Sequence, residues 1–276
     1  MLVRLPTPYA WDLSTERFRA FGRDPANLWD EGRLYRVFDG REVVIEPAPG
    51  GVRVSPGTAR TVAQVRRFLG GDFDLDAFAD FATTRDGVLS ELVERLRGLR
   101  PPLAPDPFEA LVGSITAQQV SLRAAFAIRA RLVFAFGRSH GRAWAFPTRE
   151  RLAEAEPAEL RALGFSTRKA EYVVALARAS LDLDALAARP DNEVKRELTA
   201  LPGLGEWTAD WFLARHLARP EAWPAGDLGL RKAVAAFYFD GRPLSTEDVR
   251  AFGVRFAGHR NLAAHYLLVG LRVLAR

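Results

Sequence analysis

The chain has 276 residues, 48% hydrophobic and 26% charged, a globular balance that excludes a disordered polyelectrolyte. It contains no cysteine, which removes disulfides, thiolate zinc sites, iron–sulfur clusters and cysteine nucleophiles. Net charge is +5; residues 1–100 hold 15 Arg, no Lys and 15 acids, so the whole excess lies beyond residue 100, where a polyanion partner is expected.

Four scattered histidines show no HExxH spacing and no GK[ST] follows a glycine-rich loop, which excludes zinc hydrolase and P-loop readings. No apolar run approaches the roughly 18 residues of a membrane span, and the opening MLVRLPTPYAW has no long apolar core. A soluble, cytoplasmic protein is the expectation.

In chain order, Leu34 to Phe38, Glu42 to Glu46 and Val52 to Val54 are short β-branched or aromatic runs, parted by Asp39-Gly40 and by Pro49-Gly50-Gly51. Those dipeptides are hairpin signals and predict an antiparallel meander. After Thr58 the pattern turns helical, with Val62, Val65, Phe68 and Leu69 on one face, and strands do not return. Pro101-Pro102 through Pro107 is the linker candidate. Asp106-Pro107 predicts a helix start, Ser121 caps the next helix, and Gly137 stops it. Thr148, Ser166 and Asp191 are further candidate caps, Gly164 stops a helix over 157–163, and a helical pattern runs from Ser166 to Ala179. The class is α+β: a small sheet domain leading into helices.

Leu201-Pro202-Gly203-Leu204-Gly205 parts two helical patterns, and its glycines can take the positive φ that a tight interhelical turn needs. The next helix is predicted to start at about Glu206. Free N–H groups there and the positive end of the helix dipole would seat a phosphate oxygen, a contact that carries no base-sequence information. Ala209, Phe212, Leu213 and Leu217 form an apolar stripe, with Trp207 and Trp211 on the opposite side. Tryptophans so placed either fill a second packing interface or line a cleft. Asp227, ahead of Leu228, Leu230, Ala233, Val234 and Phe237, reads as an N-cap or as a functional carboxylate, and the two roles are compatible. Carboxylates at helix starts are favoured in the charged form and can stabilise a neighbouring cation.

The hairpin LPGLGEWTAD and the loop WPAGD ending at Asp227, with DPFEALVGSITAQQVS (106–121), LGFSTRKAEYVVALA (163–177) and PYAW (8–11), resemble the helix-hairpin-helix (HhH-GPD) DNA glycosylases, within them the 3-methyladenine DNA glycosylase II, AlkA-like, branch. The likeness covers nearly the whole chain. It implies a mainly α-helical HhH-GPD glycosylase fold with an N-terminal antiparallel β-sheet domain. The expected division is an α+β domain over 1–74, a helical domain over 75–100 plus 218–276 carrying the catalytic Asp, and a helical domain over 101–217 carrying the hairpin. A cleft between the helical domains would have the hairpin and Trp207 on one side and Asp227 on the other.

The resemblance further implies hydrolytic excision of alkylated purines, chiefly 3-methyladenine, from double-stranded DNA by a monomeric base-excision enzyme. The damaged nucleotide would be flipped into a pocket. Asp227 would stabilise the oxocarbenium-like sugar cation. Trp207 and Trp211 match the family's pocket aromatics, where cation–π attraction of about 0.5–2 kcal/mol would favour positively charged lesions. Gln119 occupies the intercalating position, where some relatives carry a bulky apolar wedge; otherwise it is a solvated turn residue. Gly203, Leu204, Gly205, Thr208 and Arg231 are the other expected DNA contacts, with Arg168, Lys169, Lys232, Arg255 and Arg260 as weaker phosphate candidates.

Leu268 falls where some relatives have another pocket tryptophan. Hairpin carbonyls in the family help hold a monovalent cation, with Leu201 and Leu204 at the matching positions; no cofactor and no metal site is implied. Relatives that also nick the backbone use a hairpin lysine as Schiff-base nucleophile. Trp207 stands in that place, so no lyase activity is expected. His259 and His265 read as structural or surface residues. Two rival readings stay open: a non-catalytic helix-hairpin-helix DNA-binding protein, and a glycosylase for deaminated or oxidised bases.

Overall fold

Hairpin chemistry builds the first layer. In the computed structural model, which describes residues 1–274, β1 (Leu2–Arg4) leads through α1 (Trp11–Ser14) and α2 (Arg17–Ala20) to β2 (Leu28–Asp30), β3 (Arg33–Phe38), β4 (Arg41–Ala48) and β5 (Gly51–Ser55). The strands form one antiparallel sheet in the order β1-β5-β4-β3-β2. Asp39 and Gly40 turn the β3-β4 hairpin with φ of 47° and 70°, positive at both central positions as a two-residue type I′ turn demands. One face buries Leu34, Val43, Ile45, Val52 and Val54 against Phe18, Phe68 and Leu69. The covering helix, α3 (Ala59–Phe68), starts where Thr58 Oγ1 accepts the Thr61 N–H at 3.1 Å.

Helices make up nearly all the rest: α4 (Leu75–Arg85), α5 (Gly87–Arg95), α6 (Pro107–Ala117), α7 (Leu122–Phe136), α8 (Arg149–Ala153), α9 (Pro157–Ala162), α10 (Thr167–Arg178), α11 (Asp191–Thr199), α12 (Glu206–Arg215), α13 (Leu228–Tyr238), α14 (Thr246–Phe252) and α15 (Arg260–Leu274). Asp106, Ser121, Thr148 and Ser166 each accept the third helical N–H, a cap that stabilises by about 1 kcal/mol. Asp191 is a correction: Pro190 takes the cap position, and Asp191, now the first helical residue, pairs with Arg219 at 3.2 Å. Strands do return after Thr58, as β6 (Arg138–Ser139) pairs with β7 (Trp144–Ala145). Two-residue strands have no alternation to read in sequence.

One apolar core runs through the helices, and α12 lies deep in it. Not only its Ala209, Phe212 and Leu213 stripe but also Thr208, Asp210, Trp211 and Ala214 are buried, so only its first turn and Arg215 reach a surface. Tyr266 of α15 donates its hydroxyl to the Leu99 carbonyl at 3.0 Å, and Gly270 lets Leu92 of α5 and Phe237 of α13 close over α15.

The sheet is fastened to the helices by ions. Arg36 of β3 pairs with Glu109 of α6 at 2.5 Å, Glu109 with Arg129 of α7 at 2.6 Å, and Arg129 with Asp24 at 2.9 Å. Burial pushes the Glu109 carboxyl up, but the Arg36 and Arg129 charges outweigh it and hold the group at about 2.

Candidate active site

The turn between α11 and α12 positions a row of free donors. Gly203 adopts φ +79°, and a Cβ there would lie 2.1 Å from the ring of Tyr172, so α10 braces the hairpin through a contact only glycine permits. The N–H groups of Gly203, Gly205, Glu206 and Trp207 have no acceptor among the described residues. Aimed outward from the positive end of α12, they form an anion seat. Leu204 is buried and gives its N–H to the Leu201 carbonyl at 3.2 Å. Thr208 is a correction to the expected DNA contacts: it is 1% exposed and its N–H goes to the Gly205 carbonyl at 3.0 Å, so it braces the turn from inside.

Glu206 opens α12 with a charge that would repel phosphate. Arg250 of α14 holds that carboxylate bidentately at 2.6 and 3.0 Å, an ion pair that sequence reading missed. Gln118 joins the seat from the α6-α7 turn, its Nε2 donating to the Gly203 carbonyl at 2.8 Å. Its neighbour Gln119 stands exposed at φ +52°, flanked by the exposed Val120 and Leu122.

Asp227 combines both readings of its sequence position. Its Oδ1 accepts the Leu230 N–H at 2.9 Å and caps α13. Its Oδ2 accepts the indole N–H of Trp207 at 3.0 Å and of Trp211 at 3.1 Å. Three donors from two helices therefore fix the carboxylate, which stays half-buried. Gly229 leaves it room, since a Cβ there would meet Asp227 Oδ1 and Leu268 Cδ2, each at 3.0 Å. Leu268 is thus placed beside the carboxylate.

Beyond Trp211 the surroundings are cationic. The guanidinium of Arg215, one turn further along α12, stacks 3.6 Å over the Trp211 ring. Trp211 is 4% exposed, so the stacking platform expected of it is already taken on that side; Trp207 is the more open indole. Burial depresses the Arg215 pKa well below the usual guanidinium range; Arg17 and Arg272 depress it further and Asp227 opposes them. Arg17 is brought down to about 10 by burial and by Arg272 and Arg129. His265, 5.8 Å from Trp211, is kept neutral by burial and by Arg215, Arg17 and Arg272, and its Nε2 has no partner. Arg272 is tied to Glu16 at 3.1 Å. None of these four residues was assigned a site role from sequence; the only local signal was Arg215 standing four residues after Trp211.

The remaining basic candidates divide. Arg231 gives one guanidinium N–H to the Leu244 carbonyl at 3.4 Å. Lys169 is buried with Nζ on the Thr116 carbonyl at 3.0 Å, Arg255 pairs with Asp86 at 3.1 Å and Arg260 with Glu221 at 3.2 Å. Arg168 and Lys232 are exposed. Among the described residues no group of three or more His, Cys, Asp or Glu side chains could hold a metal ion, and no helix is long and apolar enough to cross a membrane.

Comparison with known proteins places this geometry. A family model described as HhH-GPD superfamily base excision DNA repair protein matches residues 112–253. The DNA-3-methyladenine glycosylase of Bacillus subtilis (strain 168) is 29% identical over 214 residues, 75% of this chain and 70% of that protein. A Mycobacterium tuberculosis protein named as a probable bifunctional transcriptional activator/DNA repair enzyme AlkA is 37% identical over 211 residues, 74% of this chain but 41% of that longer protein. Among solved structures, the 3-methyladenine DNA-glycosylase from Archaeoglobus fulgidus superposes with a TM-score of 0.90 at 28% identity, covering 99% of both chains.

Proposed function

Because this chain belongs to the HhH-GPD superfamily of base excision DNA repair proteins, we propose that it is a monofunctional DNA glycosylase that excises alkylated purines of the 3-methyladenine type from double-stranded DNA. The observation that carries this reading is the Asp227 carboxylate, held by two indole N–H groups and a backbone N–H, the indoles standing on the helix whose first turn carries the unpaired backbone N–H groups. The similarity to proteins named as 3-methyladenine glycosylases supports the choice of lesion.

In this reading the seat of Gly203, Gly205, Glu206 and Trp207 N–H groups grips a backbone phosphate and fixes register without reading sequence. The damaged nucleotide leaves the stack and Gln119 enters the gap. The bond between C1′ and the base nitrogen breaks with its electron pair going to the base, leaving positive charge on the sugar. A fixed carboxylate lowers the barrier because its orientation costs nothing at the moment of reaction. Water adds at C1′ and gives its proton to solvent, leaving an abasic site.

Mass-spectrometric identification of bases released from methylated duplex DNA, under single-turnover conditions, tests the assignment. Asp227→Asn keeps an acceptor for the Leu230 cap while removing the charge, and base release should fall by about 10²-fold or more. Unchanged release from that variant would leave only a DNA-binding module. Lyase activity is excluded from the reading because Trp207 occupies the place of the nucleophilic lysine and Lys169 Nζ is committed to the Thr116 carbonyl. Borohydride treatment during turnover should trap no covalent adduct.

A further inference from the structure

Of the lysines in the chain, Lys232 is exposed and Lys195 meets the Asp210 carboxylate at 2.6 Å. Lys169 of α10 differs from both. It is buried, it has no acid partner among the described residues, and its Nζ donates to a main-chain carbonyl, that of Thr116, at 3.0 Å. Thr116 lies in the last turn of α6, where carbonyls lack a helical N–H to accept and the helix dipole leaves partial negative charge. The buried ammonium therefore caps α6 from another helix.

The turn that follows gives this cap its significance. Gln118 leaves α6 with ψ of 130°, and Gln119 comes next at φ +52°, in the left-handed region that L side chains disfavour. Such a conformation persists only where its surroundings impose it. Two struts do so here. Lys169 holds the end of α6, and Gln118 Nε2 reaches across to the Gly203 carbonyl at 2.8 Å. Tyr172, three residues after Lys169 and so on a neighbouring part of the α10 surface, packs its ring against Gly203 in a contact that leaves no room for a Cβ. With Lys169, α10 touches the turn that carries Gln119; with Tyr172, it touches the turn that carries the anion seat. Gln118 closes the triangle between the two.

Resting on the glycosylase reading above, in which Gln119 fills the gap left by the extruded nucleotide, we propose that Lys169 is a positioning residue for extrusion, fixing the Gln119 turn at a set spacing from the phosphate seat. The ammonium touches neither DNA nor the reacting atoms. It acts by denying the turn freedom, and precision matters because a misplacement of about 1 Å can cost on the order of 10²-fold in rate. A lesion drawn out of a paired stack needs the gap filled behind it, whereas a lesion that is already unpaired costs far less to extrude. An uncharged side chain at 169 would leave the Thr116 carbonyl unanswered and let the turn relax from its left-handed conformation.

The experiment measures single-turnover release of 7-methylguanine from a duplex in which it faces cytosine and from one in which it is an unpaired single-nucleotide bulge. Lys169→Met should slow release from the paired site about 10-fold or more and from the bulge by less than about threefold. In a Gln119→Ala background, where no wedge is left to position, the same substitution should cost less than about threefold on the paired site as well. Gln118→Ala, a change at a partly exposed side chain, should slow the paired site more than the bulge by a smaller factor, and it carries the test if Lys169→Met does not fold. A second readout needs no base release: 2-aminopurine beside an abasic-site analogue should unstack less on binding the Lys169→Met protein than on binding wild type. Equal losses on paired and bulged lesions, a loss that multiplies with that of Gln119→Ala, or identical 2-aminopurine signals would make Lys169 a merely structural cap and overturn the proposal while the glycosylase reading stands. A wild-type protein that releases neither 7-methylguanine nor 3-methyladenine from methylated DNA would take both down.

Discussion

Two groups of arginines withdrawn from solvent live under opposite rules in this protein. At the join between the sheet and the helices, Arg36 and Arg129 share Glu109, and Arg129 also holds Asp24, so each charge has an opposite charge within 3 Å. Around Trp211 and Asp227, burial lowers the pKa values of Arg17 and Arg215, Arg272 lowers both further and Arg17 also lowers Arg215, and among the described residues only Arg272 of the three has a carboxylate partner. The first arrangement closes on itself and serves the fold. The second stays open, so it cannot be assigned to the fold on the same grounds.

Breaking the closed network should give the largest effect. Glu109→Gln leaves Arg36 and Arg129 buried with half their compensation gone, and loss of one partner from a buried ionic cluster costs about 3–5 kcal/mol. Chemical denaturation should show a lower midpoint with little change in slope. A loss below about 1 kcal/mol would mean the cluster is solvated and that the contrast with the second group is false.

Acid separates the regions next. Glu109 has a folded pKa of about 2 against an ordinary value of 4.5, so its stabilisation is complete above the unfolded value and is lost as pH falls towards 2, by about 3 kcal/mol in all. His265 beside Trp211 acts in a higher window: its folded pKa lies well below 6.5, so the unfolded chain gains a proton that the folded one refuses, and stability falls as pH drops below the unfolded value. His216, lowered by burial, adds to the same limb. Stability measured against pH should therefore fall in two stages. His265→Gln should flatten the upper stage alone and Glu109→Gln the lower, and Arg215→Met should raise the His265 pKa in an NMR titration by removing a like charge.

The two regions were not equally legible in sequence. Whatever depends on near neighbours could be read: the caps at Asp106, Ser121, Thr148 and Ser166 satisfy an N–H three residues on, and the Gly203 turn shows in its glycines. Asp227 and the tryptophans were found as a group because a short loop brings α13 back to α12. Asp191 misled because Pro190 can hold the extended backbone of a cap position as well as an acid can. Arg17 and Arg215 are 198 positions apart in the numbering, and nothing local in either announces that the fold will bring their charges together. Arg36 and Glu109, 73 residues apart, are equally invisible. A charge is read in sequence as a solvated surface, and only tertiary structure shows which ones have lost their water.

The smallest expected effect is the most informative about that difference. Arg215→Met removes a desolvated cation that has no carboxylate partner, which favours the variant, and forfeits a guanidinium stacked 3.6 Å over Trp211, a contact of about 2 kcal/mol when desolvated. A methionine thioether refills part of the same space against the indole. The two terms oppose, and thermal or denaturant stability of the free protein should stay within about 1 kcal/mol of wild type, against the loss of about 3–5 kcal/mol at Glu109. Such a result would mean that the arginine is retained at no benefit to the fold. A loss as large as that at Glu109 would instead make Arg215 a structural residue whose compensation lies in Trp211 and Asp227 together.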